Sequence, residues 1–230
     1  MEAEARLRSR GLVMLWVLLL MFGCDSSSQQ QLRGRSVPTI IKRPVAFANR
    51  TFDPASPPSG MPPLAPGEAA ECESNFLSGA NVRGESRRSD PTHATLTITQ
   101  VTVTLQLNIN IWVPAGASEH LIEHEQGHRQ ISEHYYETAD KLAERIAATY
   151  IGKRLDVTGP DLDMEFTKTL QDTAAEITAE YNKELNPGPT QELYDSITEH
   201  RKNDAVVKDA VVHAINNVTI ESRGAQNAGQ

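Results

Sequence analysis

The chain has 230 residues, 39% hydrophobic, 23% charged and 5% aromatic; it is too polar for a multispan membrane protein and too apolar for a wholly disordered one. A formal net charge of −8 without a basic run argues against a nucleic-acid partner, because that affinity rests on Lys and Arg neutralising phosphates. Two cysteines are too few for a disulfide-stapled miniprotein or a Cys-rich zinc ribbon.

The N-terminus reads as an address. Arg6, Arg8 and Arg10 precede an apolar run from Leu12 to Phe22, too short to span a bilayer but suited to a signal-peptide core. The run ends in Met21-Phe22-Gly23-Cys24-Asp25, which resembles a bacterial lipobox. That resemblance implies cleavage after residue 23, a lipid on Cys24, and a place at the membrane of a bacterial cell envelope, periplasmic or extracytoplasmic. Ordinary signal-peptide cleavage a few residues later is the alternative. Loss of residues 1–23 removes three Arg and two Glu and takes the net charge from −8 to −9. A lipidated Cys24 leaves Cys72 without an intrachain partner.

Residues 24–69 read as a tether. Ser26 to Gln31 is a Ser/Gln run, and eight of the thirteen prolines lie before position 67. Such a stretch has little to bury and stays extended or irregular. Val37 to Phe47 could add a short strand, which would dock part of the tether.

The folded domain is expected over 70–220, with a disordered tail at 221–230. Leu96, Ile98, Val101, Val103, Leu105, Leu107, Ile109 and Ile111 alternate with Thr, Gln and Asn, a period of two that predicts strand. The phase slips at Gln100-Val101, which marks a bulge or a turn between two strands. Ser118 is placed to cap a helix over 119–150, with Leu121, His124, His128, Ile131, Tyr135, Leu142 and Ile146 in one stripe. A second helix is predicted over 161–186, with Leu162, Phe166, Ile177 and Tyr181 inward. Asn186-Pro187-Gly188-Pro189 stops it. A third helix follows Thr190, with Leu193, Ile197, His200, Val207, Val211 and Ile215 on one face.

The chemistry sits in the first helix. His124-Glu125-Gln126-Gly127-His128 is an H-E-x-x-H pattern. Two His four residues apart project from one helical face, where their ring nitrogens can meet one Zn²⁺ at about 2.0–2.1 Å. Glu125 lies about 100° around the helix, where a carboxylate reaches a water on the metal rather than the metal itself. That arrangement suits metal-assisted hydrolysis with Glu125 as general base. Two unpartnered imidazoles in an apolar stripe would be costly to bury, and a bound metal compensates for that cost.

A third ligand is needed. His120 stands one turn before His124, but a straight helix seldom wraps three ligands around one ion. His134 and Glu133 lie off the stripe. His200, on the apolar face of the third helix, is the better candidate. Asp204, four residues on, could ligate or orient the imidazole. His213 points off that face, and His93 is given no role.

The stretch HEQGHRQISE from His124 to Glu133, preceded by a β-rich run ending in Trp112-Val113-Pro114, resembles the bacterial secreted zinc-dependent protease-like domain of unknown function in the zincin clan. Members similarly carry a downstream Tyr-Asp-x-x-Thr-x-His-Gly element, which stands here as Tyr194-Asp195-Ser196-Ile197-Thr198-Glu199-His200-Arg201. Arg201 replaces the family's Gly. The resemblance covers about residues 70–205. It implies an α+β, zincin-like fold: a small β-sheet packed on an active-site helix, plus two further helices. It also implies an edge strand that binds extended peptide by strand addition, for which Leu96–Val113 is the candidate. It favours His200 as third zinc ligand and gives Tyr194 the stabilisation of an oxyanion.

Two readings follow. The first is an envelope-anchored zinc metallopeptidase acting on a peptide or protein, with His124, His128 and His200 as ligands, Glu125 as base, and another divalent ion as the alternative metal. The second is a non-catalytic, metal-stabilised lipoprotein that serves as a binding or scaffold module, its metal closed by a fourth protein ligand such as Asp204 or His120.

Overall fold

The computed structural model describes residues 37–199 and 206–227, with side chains placed to 218. The signal segment, Cys24, His200, Arg201, Asp204 and the last three residues, 228–230, lie outside the described residues. The chain is mixed α and β. Strands β1 (Thr39–Lys42), β2 (Ala46–Phe52), β3 (Glu71–Asp90) and β4 (His93–Pro114) lead to helices α1 (Glu119–Glu137) and α2 (Ala139–Ala148). Strand β5 (Arg154–Thr158) and helices α3 (Leu162–Glu184), α4 (Gly188–Thr198) and α5 (Val207–Asn227) follow. Among the described residues no helix is long and apolar enough to cross a membrane.

The alternating segment is one strand, and it is central. β3 runs antiparallel along the length of β4. The opposite side of β4 takes β5 antiparallel, then β1 and β2 in parallel. This corrects the expectation that Leu96–Val113 forms an edge. Its inward residues are apolar all along the strand, so neighbours on both sides are needed to exclude water from them, and among the described strands the edges are β3 on one side and β5, β1 and β2 on the other. The phase slip is a bulge: Arg83 pairs with Gln100 and Gly84 with Ile98, leaving Thr99 unmatched. Gly84 fits there because a Cβ would meet Leu96 Cδ1 and Thr97 O at 2.8 Å. On either side of the bulge the inward set is continuous: Leu96 and Ile98, then Val101, Val103, Leu105, Leu107, Ile109 and Ile111, all buried. Each such side chain stabilises the fold by about 1.5–3 kcal/mol.

Part of the expected tether belongs to the sheet. Ile40 pairs with Val103 and Phe47 with Ile109, so residues 39–52 fold with the domain. The Pro-rich residues between β2 and β3 form turns and irregular backbone.

The helix expected over 119–150 breaks at Thr138, whose φ of −102° and ψ of 2° leave the helical range. Lys42 of β1 fastens the break. Its ammonium donates to the Glu137 carbonyl at 2.8 Å and pairs with the Asp140 carboxylate at 2.9 Å. The buried stripe shifts accordingly, to Tyr136, Ala139, Ala143 and Ile146. α3 matches its expectation, with Leu162, Ile177 and Tyr181 buried. The third predicted helix is two elements. α4 ends at Glu199, a non-glycine residue with φ of +46°, and α5 starts at Val207.

The interior has two parts. The larger lies between the inner face of the sheet and helices α1, α2 and α3. The smaller gathers Ile131 of α1, Tyr194 of α4, and Ala210, Val211 and Ala214 of α5. α1 is shared by both, and it carries the H-E-x-x-H residues where they meet.

Candidate metal centre

Ser118 starts α1: its side chain accepts from Leu121 N at 3.2 Å, satisfying one of the helix's free N–H groups. Two turns later His124 and His128 share the face turned to α4. Their Nε2 atoms stand 3.2 Å apart. Asp195 of α4 closes the group, with Oδ1 at 3.3 Å from His124 Nε2 and 3.0 Å from His128 Nε2. Three donor atoms thus surround one point in a nearly equilateral triangle. Ligands about 2.0–2.1 Å from a tetrahedral ion sit roughly 3.4 Å from each other, so the triangle has close to the size of one face of such a site. Two imidazoles and one carboxylate suit a divalent cation, and among the described residues these three are the group of donors that converges there.

The charge distribution points the same way. Gln191, one turn before Asp195, donates from its amide nitrogen to His128 O and Ser132 Oγ, each at 3.1 Å. Its Oε1 is left to face His128 Nδ1 at 2.7 Å, so Nδ1 carries a proton. With Nδ1–H committed, Nε2 would turn a lone pair on the Asp195 carboxylate unless a cation lies between them, either a second proton or a metal. Burial alone lowers His128, but the hydrogen bond and charge of Asp195, with help from Gln191 and Glu125, outweigh it and lift the ring above its ordinary value. For Asp195, burial raises the carboxyl, but the two imidazoles outweigh it and hold it well below the usual carboxylate range. Both shifts favour the charged forms of His128 and Asp195, the direction expected where a cation is to be held.

His124 is positioned differently. Its Nδ1 is buried with no hydrogen-bond partner among the described residues, and its ring stacks on Tyr194, centroids 5.1 Å apart and planes at 26°. His128 meets the same phenol edge-on at 4.9 Å. The hydroxyl of Tyr194, expected to face an oxyanion, donates to the His124 carbonyl at 3.1 Å. The ring is fully buried, so Tyr194 is the floor of the site and its proton is spent on the α1 backbone. Gly127, the second variable position of H-E-x-x-H, is where the phenol enters: a Cβ there would overlap Tyr194 Oη and Cζ.

Glu125 is buried, 2% exposed. Its negative charge is among the causes raising His128 and, after burial, is the next cause raising Tyr194 and Cys72. Cys72, on the inner face of β3, is pushed up to about 12, chiefly by burial. Glu71 beside it is also raised, first by burial and then, against the lowering effect of His128, by Glu68, Glu73 and Asp195. β3 therefore begins beside the site.

Of the residues read from the sequence, the structure brings together His124, Glu125, His128 and Tyr194. His120 is outside the group and lines a groove of about 520 Å³ with Glu123, Gln126 and Lys208. His200 and Asp204, the other candidate third ligands, fall outside the described residues, and Asp195 takes that place in the geometry. Asp195 was in view only as the second residue of the Tyr-Asp element. Its signal was helical phase: Gln191, Tyr194, Asp195 and Thr198 share one face of α4. No family model matches this chain, and neither a curated protein nor a solved structure matches it.

Proposed function

We propose that this chain is a metal-dependent hydrolase of peptide bonds, with zinc as the leading metal and a zincin-like arrangement of sheet and active-site helix. The observation that carries this reading is the convergence of His124 Nε2, His128 Nε2 and Asp195 Oδ1 within 3.0–3.3 Å of one another, on a helix that also carries a buried Glu125. A divalent ion held there would lower the pKa of a water and polarise a substrate carbonyl. Glu125 would take the water's proton and deliver it to the leaving amine. Tyr194 and Gln191 would keep the two imidazoles aimed.

The free edge of β3 suits an extended peptide. Cys72, Ser74, Phe76, Ser78, Ala80 and Val82 share the inner face with the buried residues of β4. The Ala80 N–H is already taken by Thr178 Oγ1 of α3 at 3.2 Å. The residues before it lead to Ser74, whose hydroxyl accepts from Ser132 of α1 at 2.8 Å. A substrate strand laid there would run beside the metal ligands. A lipid on Cys24 would hold the enzyme at a bacterial envelope membrane, and mass spectrometry of the mature N-terminus would test that separately.

Elemental analysis of the purified full chain, beside His124→Ala and Asp195→Ala, tests the site. One zinc per chain, lost in both variants, is expected. A peptidase assay with Glu125→Gln then tests the reaction: metal retained with hydrolysis lost is expected, and retained hydrolysis would sink the mechanism. Metal retained without hydrolysis in the wild type would favour the scaffold reading.

A further inference from the structure

We infer that Gln191 is a positioning residue that fixes the ring of His128 in the Nδ1–H form and so presents Nε2 as the ligand atom. This rests on the metal reading above, but its central claim concerns the protein without metal.

Three observations carry it. The side-chain hydrogen bonds of Gln191 go to one short stretch of α1: Oε1 to His128 Nδ1 at 2.7 Å, and Nε2 to His128 O and Ser132 Oγ at 3.1 Å each. Because the His128 carbonyl can only accept, turning the amide over would set Oε1 against that oxygen and lose the bond to it, so the amide's orientation is set by the α1 backbone and Oε1 is the atom left facing the ring. The Ser132 hydroxyl is itself held, 2.8 Å from Ser74 Oγ on β3. The clamp is therefore tied to the sheet as well as to the helix. Finally, Gln191 and Asp195 are one turn apart on α4, so a single helix grips both nitrogens of one imidazole, Nδ1 from Gln191 and Nε2 from Asp195. A free neutral imidazole prefers its proton on Nε2, the form that cannot ligate through that atom. Gln191 reverses this preference before any ion arrives, and a neutral amide does so without adding a second negative charge beside Asp195.

The test has two parts. Long-range ¹H–¹⁵N correlation on the metal-free full chain, at a pH where the ring is neutral, should show the Nδ1–H form for His128 in the wild type and a shift toward Nε2–H in Gln191→Leu. Finding Nε2–H in the wild type would overturn the inference outright, whatever the variants do. Zinc titration should show affinity about 10–100-fold weaker for Gln191→Leu, with most of it recovered in Gln191→Glu, which keeps an acceptor for Nδ1–H. A Leu variant that is folded by circular dichroism and binds zinc as tightly as the wild type would also overturn it. If the wild type shows Nδ1–H but takes up no divalent metal, the hydrolase reading fails and the role of Gln191 stands.

Discussion

Helices α1 and α4 supply the site in unlike ways. α1 is packed against β3 and β4 and is continued by α2; its ligands lie four residues apart in a recognisable pattern. α4 touches only α1 and α5 among the described elements, and what it gives the site is a face: Gln191, Tyr194 and Asp195. One helix is a scaffold with the ligands built in, and the other is a clamp held between α1 and α5. A motif can be complete on the scaffold while the site is not, because the carboxylate that closes it arrives by packing.

Breaking either side should empty the site, so His128→Ala and Asp195→Ala are both expected to abolish stoichiometric metal binding, read by elemental analysis. Glu125→Gln separates binding from chemistry. It should keep the metal and lower hydrolysis by about 10²–10⁴-fold, the usual contribution of a general base.

The clamp itself can be weakened without touching a ligand. Tyr194→Ala removes a fully buried ring and should cost about 3–5 kcal/mol of stability, measured by denaturant unfolding. Gly127→Ala attacks the same contact from α1, where the new Cβ would overlap the phenol; about 1–3 kcal/mol is expected. The two changes should be strongly non-additive, because once the ring is gone the Cβ has room. Equal, additive losses would mean that α4 is held elsewhere.

The pH dependence of the metal-free protein sharpens the contrast. The carboxyl of Asp195 is depressed on folding, so its contribution is present above the unfolded value of about 3.9 and is lost as pH falls through the folded one. The His128 ring is raised, so its contribution is complete below about 6.5 and is lost as pH rises through its folded value. Stability from this pair should therefore peak between about pH 4 and 6.5. Asp195→Asn should flatten both limbs of the profile, read as thermal midpoints across pH.

The smallest effect is expected at the α1–α2 junction, which lies away from the clamp. Lys42→Ala removes a partly exposed ion pair with Asp140 and should cost no more than about 1 kcal/mol, leaving metal affinity unchanged.

Much of this molecule could be read from its residues alone. The inward face of β4, the bulge near Gln100, α3 with its inward residues, and the pair His124 and His128 follow from spacing, because periods of two and 3.6 are properties of a single chain segment. Other features could not be read, for definite reasons. β3 carries Ser, Gly, Asn and Arg with little apolar alternation; it is a strand because β4 needs a partner along one whole side. The break at Thr138 has no proline or glycine to announce it, and is fastened by Lys42 from nearly a hundred positions away. A short strand within Val37 to Phe47 is legible, but not that residues 39–52 pair with β4 in parallel, a contact between segments that no local pattern encodes. Spacing along one segment was enough to show which helix offers two imidazoles with a glutamate beside them; that this glutamate is buried is a fact of packing. Only tertiary structure decided that Asp195 completes the group, that Gln191 sets the ring and that Gly127 makes way for Tyr194, because a site of converging atoms is a property of packing between helices and not of spacing within one.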